Sequence, residues 1–195
     1  MMSVEKENMY QIDKGQLRKL ALSKRNSVDE ACRISASEKT AERLLALDVV
    51  KKARLIMCYR SFRSEFPTDG IIAALENCGK KLCYPVCGKQ GIMQAWHPVD
   101  KDGWKPGMMG ICEPDVEKSE LIAPEDIDLV ICPMVGFDVK RRRLGYGGGY
   151  YDRYLPQCKK AFVFGIAFEA QRMDEVACDE HDISMDLIIT EEKIY

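Results

Sequence analysis

Short apolar runs of strand length alternate with helix-periodic stretches along most of this chain, and that alternation limits the fold more than any other feature. Arg54 to Tyr59, Lys81 to Pro85, Asp128 to Pro133, Ala161 to Phe168 and Leu187 to Thr190 each read as a strand. Between the first two, Ile71, Ile72, Ala74 and Leu75 fit a helix that Thr68 or Asp69 caps and Gly79 ends at the C′ position. Ahead of the strands, residues 8–25 carry an apolar stripe that includes Leu17, Leu20 and Ala21. Ser27-Val-Asp-Glu30 has the form of a capping box and opens a second helix to about Asp48. Residues 86–124 are rich in Gly, Pro and Trp and read as loop, with one short strand near Met93 to His97. Tyr150 to Leu155 begins a helix that Pro156 limits. Strand–helix–strand order of this kind predicts an α/β fold, a three-layer α/β/α arrangement with a mainly parallel open sheet. No repeat or linker divides the 195 residues, so a single domain over 1–195 is expected, with a helical N-terminal segment over about 8–48.

Bulk charge narrows the partners. Net charge is −2 with 31% charged residues, which gives no electrostatic case for broad nucleic-acid binding. No apolar run approaches the length that spans a bilayer, and Met1 to Lys14 lacks the apolar core of a secretory signal. A cytoplasmic monomer acting on small molecules is expected. The nine cysteines are odd in number, form no CxxC pair and mostly sit among apolar neighbours, as in Val130-Ile131-Cys132. They read as small hydrophobes in a reduced protein. Cys78, Cys83 and Cys87 match no standard zinc spacing.

The chemistry concentrates in the segment of about 143–152: Arg143, Leu144, Gly145, Tyr146, Gly147, Gly148, Gly149, Tyr150, Tyr151 and Asp152. Glycines allow positive φ and close backbone approach. Their exposed amides suit phosphate oxygens, arginine offers a fork for phosphate, and aspartate suits a hard cation. The segment is neither a P-loop nor a GxGxxG fingerprint, since no Gly-Lys-Ser or Gly-Lys-Thr occurs and Gly149 falls one place early. The plain alternative is a tight strand-to-helix turn. Arg141 and Arg142 extend a basic run that is equally at home as a solvated cluster. Lys14 and Arg18 lie four apart on one helix face, as a basic stripe or as ligand contacts. Glu65 follows a strand end, where open α/β sheets collect ligands, or is a loop residue before a cap. Asp182, in an acidic stretch with His181, is a candidate to join Asp152 on Mg²⁺. Trp96 and Trp104 suit either heterocycle stacking or core packing.

The chain resembles the 5-formyltetrahydrofolate cyclo-ligase (methenyltetrahydrofolate synthetase) family. The resemblance rests on Pro133-Met-Val-Gly-Phe-Asp138 followed by Arg143-Leu-Gly-Tyr-Gly-Gly-Gly-Tyr-Tyr-Asp-Arg-Tyr-Leu155. Supporting matches are Lys14 with Arg18, Glu65 with Thr68, Gly110-Ile-Cys-Glu-Pro114, Gly165-Ile-Ala-Phe168 with Gln171, and Glu180-His-Asp182 before Asp186-Leu-Ile-Ile-Thr190. It implies ATP-dependent closure of 5-formyltetrahydrofolate to 5,10-methenyltetrahydrofolate through a phosphorylated formyl oxygen, with ADP and phosphate released. It further implies that Lys14, Arg18 and Arg143 to Tyr151 bind ATP, and that Arg143 and Asp152 serve catalysis. Glu65, near Arg60, would hold the pterin beside Tyr146 to Tyr150, and Asp152 and Asp182 would hold Mg²⁺. Some family members carry a lysine where this chain has Gly148, a charge that Arg141 or Arg142 is placed to supply. Ala177 stands where a proline is frequent. Rival readings are a non-catalytic folate or nucleotide sensor, or another enzyme on a similar sheet, such as a sugar-phosphate isomerase or coenzyme A transferase.

Overall fold

The computed structural model describes residues 13–100, 102–107 and 110–195. In chain order its strands are β1 Leu55–Cys58, β2 Lys81–Cys87, β3 Met93–Pro98, β4 Trp104–Pro106, β5 Cys112–Pro114, β6 Ser119–Ile122, β7 Leu129–Cys132, β8 Gly136–Phe137, β9 Arg143–Leu144, β10 Phe162–Ile166 and β11 Leu187–Ile189. Its helices are α1 Lys14–Asn26, α2 Glu30–Ala46, α3 Asp48–Lys52, α4 Asp69–Asn77 and α5 Tyr150–Tyr154. The main sheet runs β11-β10-β7-β1-β2-β3-β6. The five strands from β11 to β2 pair in parallel, and β3 and β6 add an antiparallel edge. The mixed α/β fold with a mostly parallel sheet is the expected one.

Burial explains why the parallel strands carry unbroken apolar runs. In β7, Leu129 and Ile131 face a core shared with Leu44, Val50, Ile71 and Leu75 of α2, α3 and α4. Val130 and Cys132 face the opposite core, shared with Tyr151 and Tyr154 of α5 and with Leu155 and Cys158 beyond it. Both faces of the strand are covered, so no position is left for a polar side chain. Cys58, Cys83, Cys132 and Cys158 are buried in these cores, and burial pushes the Cys83 and Cys132 thiols up to about 12.

Several boundaries differ from the sequence reading. Residues 8–12 of the first expected helix lie outside the described residues. The cap of α2 is Asp29, whose side chain accepts from the Cys32 amide, while the Ser27 hydroxyl donates back to the Lys24 carbonyl. The expected helix to Asp48 breaks at Leu47, which is extended (φ −71°, ψ 133°), and α3 starts afresh after it. Thr68 precedes α4 without a side-chain cap bond, because its hydroxyl accepts from the Ser61 amide at 2.9 Å instead. Gly79 does end α4: its φ is +72°, and the amides of Gly79 and Lys80 return to Glu76 and Leu75, a Schellman closure. The region 86–124 holds β4, β5 and β6 besides β3, which short runs interrupted by Gly and Pro concealed.

Candidate functional site

Helix α1 carries the site on one flank. Its apolar residues Leu17 and Ala21 pack with Val135, Leu144, Met173 and Val176 beside the β8–β9 hairpin. Gly136 permits that approach, since a Cβ there would lie 2.9 Å from the Met173 sulfur and 3.2 Å from the Ala21 Cβ. Three cations from α1 then reach over the segment leaving β9. Lys14 Nζ lies 2.6 Å from both Asp179 Oδ2 and Asp182 Oδ2. Arg18 Nε donates to the Gly145 carbonyl at 2.8 Å. Arg25 Nη1 donates to the Tyr146 hydroxyl at 2.6 Å. The spacings of four and seven residues keep all three near one side of the helix.

The glycine segment turns between β9 and α5. Gly147 (φ +99°) and Gly149 (φ +64°) occupy left-handed conformations, so the turn itself requires these two glycines. A Cβ on Gly148 would press within 2.9 Å of the Tyr150 ring. Arg153, one turn beyond Gly149, folds back over the segment. It donates to the Gly148 carbonyl and, at 3.2 Å, to the Gly91 carbonyl in the β2–β3 turn. The Tyr150 hydroxyl donates to the Gly88 carbonyl of the same turn at 3.1 Å. The glycine segment is thereby fastened to the end of β2. Arg153 has no carboxylate partner among the described residues, and neither has Arg18.

Arg141 and Arg142, the candidates for the charge that some relatives place at position 148, are both engaged elsewhere in this structure. Arg142 pairs at 2.6 Å with Asp138, which is fully buried and also accepts from the Lys140, Arg142 and Val176 amides. A desolvated carboxylate so placed holds its guanidinium firmly. Arg141 donates to the Asp186 carbonyl at 2.7 Å. Arg143 is also committed: its side chain is 5% exposed, and Nη2 pairs with Asp152 Oδ1 at 2.6 Å. Its Nε is buried without a partner, and its guanidinium carbon lies 5.5 Å from the Tyr151 ring centre.

Asp152 and Asp182 are brought to one corner. The Ile183 amide, next to Asp182, lies 3.4 Å from Asp152 Oδ1. Asp182 Oδ2 accepts from the Asp179 amide at 2.7 Å and from Lys14. Burial works to raise the Asp182 pKa, but the Asp179 amide, Lys14 and, further off, Arg143 outweigh it and hold the carboxyl below its usual range. The Lys14 ammonium is disfavoured by burial, yet its bonds to Asp179 and Asp182 raise its pKa overall. Among the described residues, no group of three or more His, Cys, Asp or Glu side chains is arranged to hold a metal ion. Two carboxylates, each with one oxygen engaged by a cation, fit a Mg²⁺ that arrives with phosphate oxygens and water better than a permanently caged metal.

The Glu65 loop meets the glycine segment. Glu65 Oε2 accepts from the Phe62 amide at 2.8 Å, and Arg25 links Ser64 of this loop to the Tyr146 hydroxyl. Burial, then the Glu65 charge, push the Tyr146 phenol well above its usual range, against the opposing pull of Arg25. Arg25 is 4% exposed and also holds the Ser64 hydroxyl through Nε and Nη2 at 3.2 and 3.0 Å. Arg33 braces this loop from α2 through the Ser64 and Arg25 carbonyls. Arg60 sits elsewhere in the loop, paired with Asp69 at 3.2 Å and 4.9 Å over the Trp104 ring, which packs edge-on to Tyr84. Sequence reasoning missed Arg25 and Arg153. The signals were present: Arg25 lies seven residues after Arg18 on the same helix, and Arg153 four after Gly149.

The profile of the 5-formyltetrahydrofolate cyclo-ligase family matches residues 11–191. A 5-formyltetrahydrofolate cyclo-ligase of Escherichia coli is 27% identical over 164 residues, covering 81% of this chain and 89% of its own. A probable 5-formyltetrahydrofolate cyclo-ligase of Schizosaccharomyces pombe is 27% identical over 198 residues, covering 94% of this chain and 97% of its own. Among solved structures, the 5,10-methenyltetrahydrofolate synthetase of Aquifex aeolicus superposes with a TM-score of 0.80 at 32% identity, covering 93% of this chain and 91% of the other. That of Mycoplasma pneumoniae superposes with a TM-score of 0.74 at 28% identity, over 92% of this chain and 99% of the other.

Proposed function

The chain belongs to the 5-formyltetrahydrofolate cyclo-ligase family, and from that premise we propose that it joins N10 to the formyl carbon of 5-formyltetrahydrofolate at the expense of Mg-ATP. A formyl oxygen is a poor leaving group. Its attack on the γ-phosphoryl of ATP releases ADP and leaves a formyl phosphate ester. N10 then attacks the activated carbon and gives up its proton to water, phosphate departs, and the 5,10-methenyl ring remains. The protein's task is to align the two reactants and to stabilise charge on the transferring phosphoryl.

The residues divide that task. Arg18 and Arg153 rest on carbonyl oxygens of the glycine segment and keep their net charge for phosphate. Arg143 orients Asp152, and Lys14 orients Asp182. Those two carboxylates would hold the magnesium ion, which neutralises phosphate charge when bound. Leu144 is buried and anchors the start of the segment, with Gly145, Gly147, Gly148, Gly149 and Tyr151 shaping it around the nucleotide. Glu65 would accept hydrogen bonds from the pterin, bordered by Tyr146 and Tyr150, with Arg60 and its stacked Trp104 farther out.

One observation carries this reading: Arg25 holds both the Tyr146 hydroxyl of the glycine segment and the Ser64 hydroxyl next to Glu65, so a phosphate cradle and a pterin acceptor adjoin. Purified protein given Mg-ATP and 5-formyltetrahydrofolate should develop methenyl absorbance in the near ultraviolet. Absence of that absorbance, with the folded protein verified, rules the reading out.

A further inference from the structure

The turn between β2 and β3 holds two left-handed residues in succession, Gln90 at φ +59° and Gly91 at φ +75°. A non-glycine residue such as Gln90 rarely adopts that conformation. What the turn grips is Arg153. Arg153 Nε donates to the Gly91 carbonyl at 3.2 Å, and Nη2 donates to the Gly148 carbonyl. A Cβ built on Gly91 would fall 1.8 Å from Arg153 Nη2 and 2.5 Å from its Cζ, and one on Gly149 would fall 2.6 Å from Nη1. The Tyr150 ring centre lies 5.8 Å from the same Cζ. The guanidinium therefore occupies a slot walled by the bare backbone of two glycines from separate turns. Gly88, at the start of the β2–β3 turn, differs: a Cβ there would meet the Ile92 carbonyl at an ordinary 3.5 Å and no part of Arg153.

We propose that Gly91 is a positioning residue that fixes where Arg153 presents its charge to the nucleotide phosphates; this rests on the function proposed above. A side chain at 91 takes the space of the guanidinium. The group it displaces is the far end of a flexible side chain, so Arg153 yields and the turn keeps its path. The displaced arginine loses the Gly91 carbonyl and with it the geometry that brings Nη2 to the Gly148 carbonyl. Its charge is then no longer fixed over the glycine segment. The β2–β3 turn thereby belongs to the nucleotide site, although it lies about sixty residues before the glycines in sequence.

The test measures the dissociation constant of a non-hydrolysable ATP analogue with Mg²⁺ by titration, with melting temperatures recorded to verify folding. Gly91→Ala should weaken binding by about tenfold, as Arg153→Ala does. Added to Arg153→Ala, it should change binding by less than about twofold, because the group it displaces is already gone. Gly91→Asn tolerates positive φ and carries the same Cβ, so it should match Gly91→Ala and separates crowding from backbone strain. Gly88→Ala, in the same turn, should stay within about twofold of wild type. Unchanged binding in both Gly91 variants would overturn the role of Gly91, and so would a Gly91 effect that persists in full without Arg153; either result leaves the proposed function standing. Failure of the Gly91 variants to fold in both backgrounds would also overturn it, since Gly91 would then serve the turn alone. Failure to fold with Arg153 present and folding without it would support the crowding. A wild type that binds the analogue but forms no methenyl product would overturn the proposed function and leave the Gly91–Arg153 dependence intact, whereas a wild type that binds no nucleotide would sink both.

Discussion

Removing the Arg143 guanidinium should cost both stability and turnover, and the two losses can be separated. Arg143 is 5% exposed and its partner Asp152 22%, at 2.6 Å. Breaking a fully buried pair by deleting one partner costs about 3–5 kcal/mol, because the survivor keeps a charge without compensation. Asp152 retains some access to water, so about 2 kcal/mol is the better figure for Arg143→Ala. In a chain of this size, about 2 kcal/mol lowers the melting temperature by roughly 4–8 °C. Asp152→Asn should cost a similar amount, since it strands the buried arginine. The double variant should cost clearly less than the two single losses added, because no unpaired charge remains. Turnover should fall by about a hundredfold or more in all three, if Asp152 faces the reacting phosphoryl. Calorimetry and the absorbance assay on the four proteins decide the matter. Additive losses in melting temperature would show that Arg143 and Asp152 do not depend on each other. Normal turnover in Arg143→Ala would remove the pair from the mechanism.

Arg153→Ala should raise the KM for ATP by about tenfold and leave the KM for the folate little changed, with partial recovery in Arg153→Lys; an unchanged ATP KM would refute its role at the glycine segment. Glu65→Gln should do the converse, weakening folate binding by about tenfold as one charged acceptor is lost, with nucleotide binding by titration unaltered. The Lys14–Asp182 contact sets a pH window. The Asp182 pKa is depressed below its usual 3.8, so its contribution is present above that value and is lost as pH falls through the folded-state pKa. The Lys14 pKa is raised above 10.5, so its contribution is present below that value and is lost as pH rises through the higher one. The melting-temperature gap between wild type and Lys14→Met should therefore be steady from mildly acid to neutral pH and close below about pH 3.8. A gap that shows no narrowing as the pH is lowered below 3.8 until the protein unfolds would contradict this.

The sheet was legible because its parallel strands are covered on both faces, and unbroken apolar runs such as Leu129 to Cys132 leave no other solution. The edge was not. β4 and β5 pair only with each other, and Ser119–Ile122 is half polar because one side of an edge strand meets water. The residue types at the site were also readable, since glycine, arginine and aspartate announce phosphate chemistry wherever they cluster. Pairing was harder to read. Arg143 beside a glycine run reads as a phosphate ligand in sequence, and what the sequence could not show is its pairing with Asp152, which α5 returns to the same place one loop later. Local spacing cannot show which cation a later segment neutralises.

That pairing gives the site its electrostatic logic. Five cations border the glycine segment: Lys14, Arg18, Arg25, Arg143 and Arg153. Lys14 and Arg143 are bound to Asp182 and Asp152, so each forms a near-neutral unit that orients an oxygen. Arg18 and Arg153 are bound to backbone carbonyls, which fix a guanidinium without cancelling its charge. Arg25 is bound to the Tyr146 and Ser64 hydroxyls, and its guanidinium carbon lies 5.7 Å from the Tyr146 ring centre. On the function proposed above, Arg153 takes the place of a loop lysine at position 148. Arg153 lies on the carbonyl of that very residue, and a side chain at 148 would have to displace the Tyr150 ring, 2.9 Å from a Cβ built there. Compact backbone at Gly148 and a charge delivered from α5 are two halves of one solution, because the absence of a side chain at 148 is what leaves room for Tyr150 and Arg153 to close over the segment.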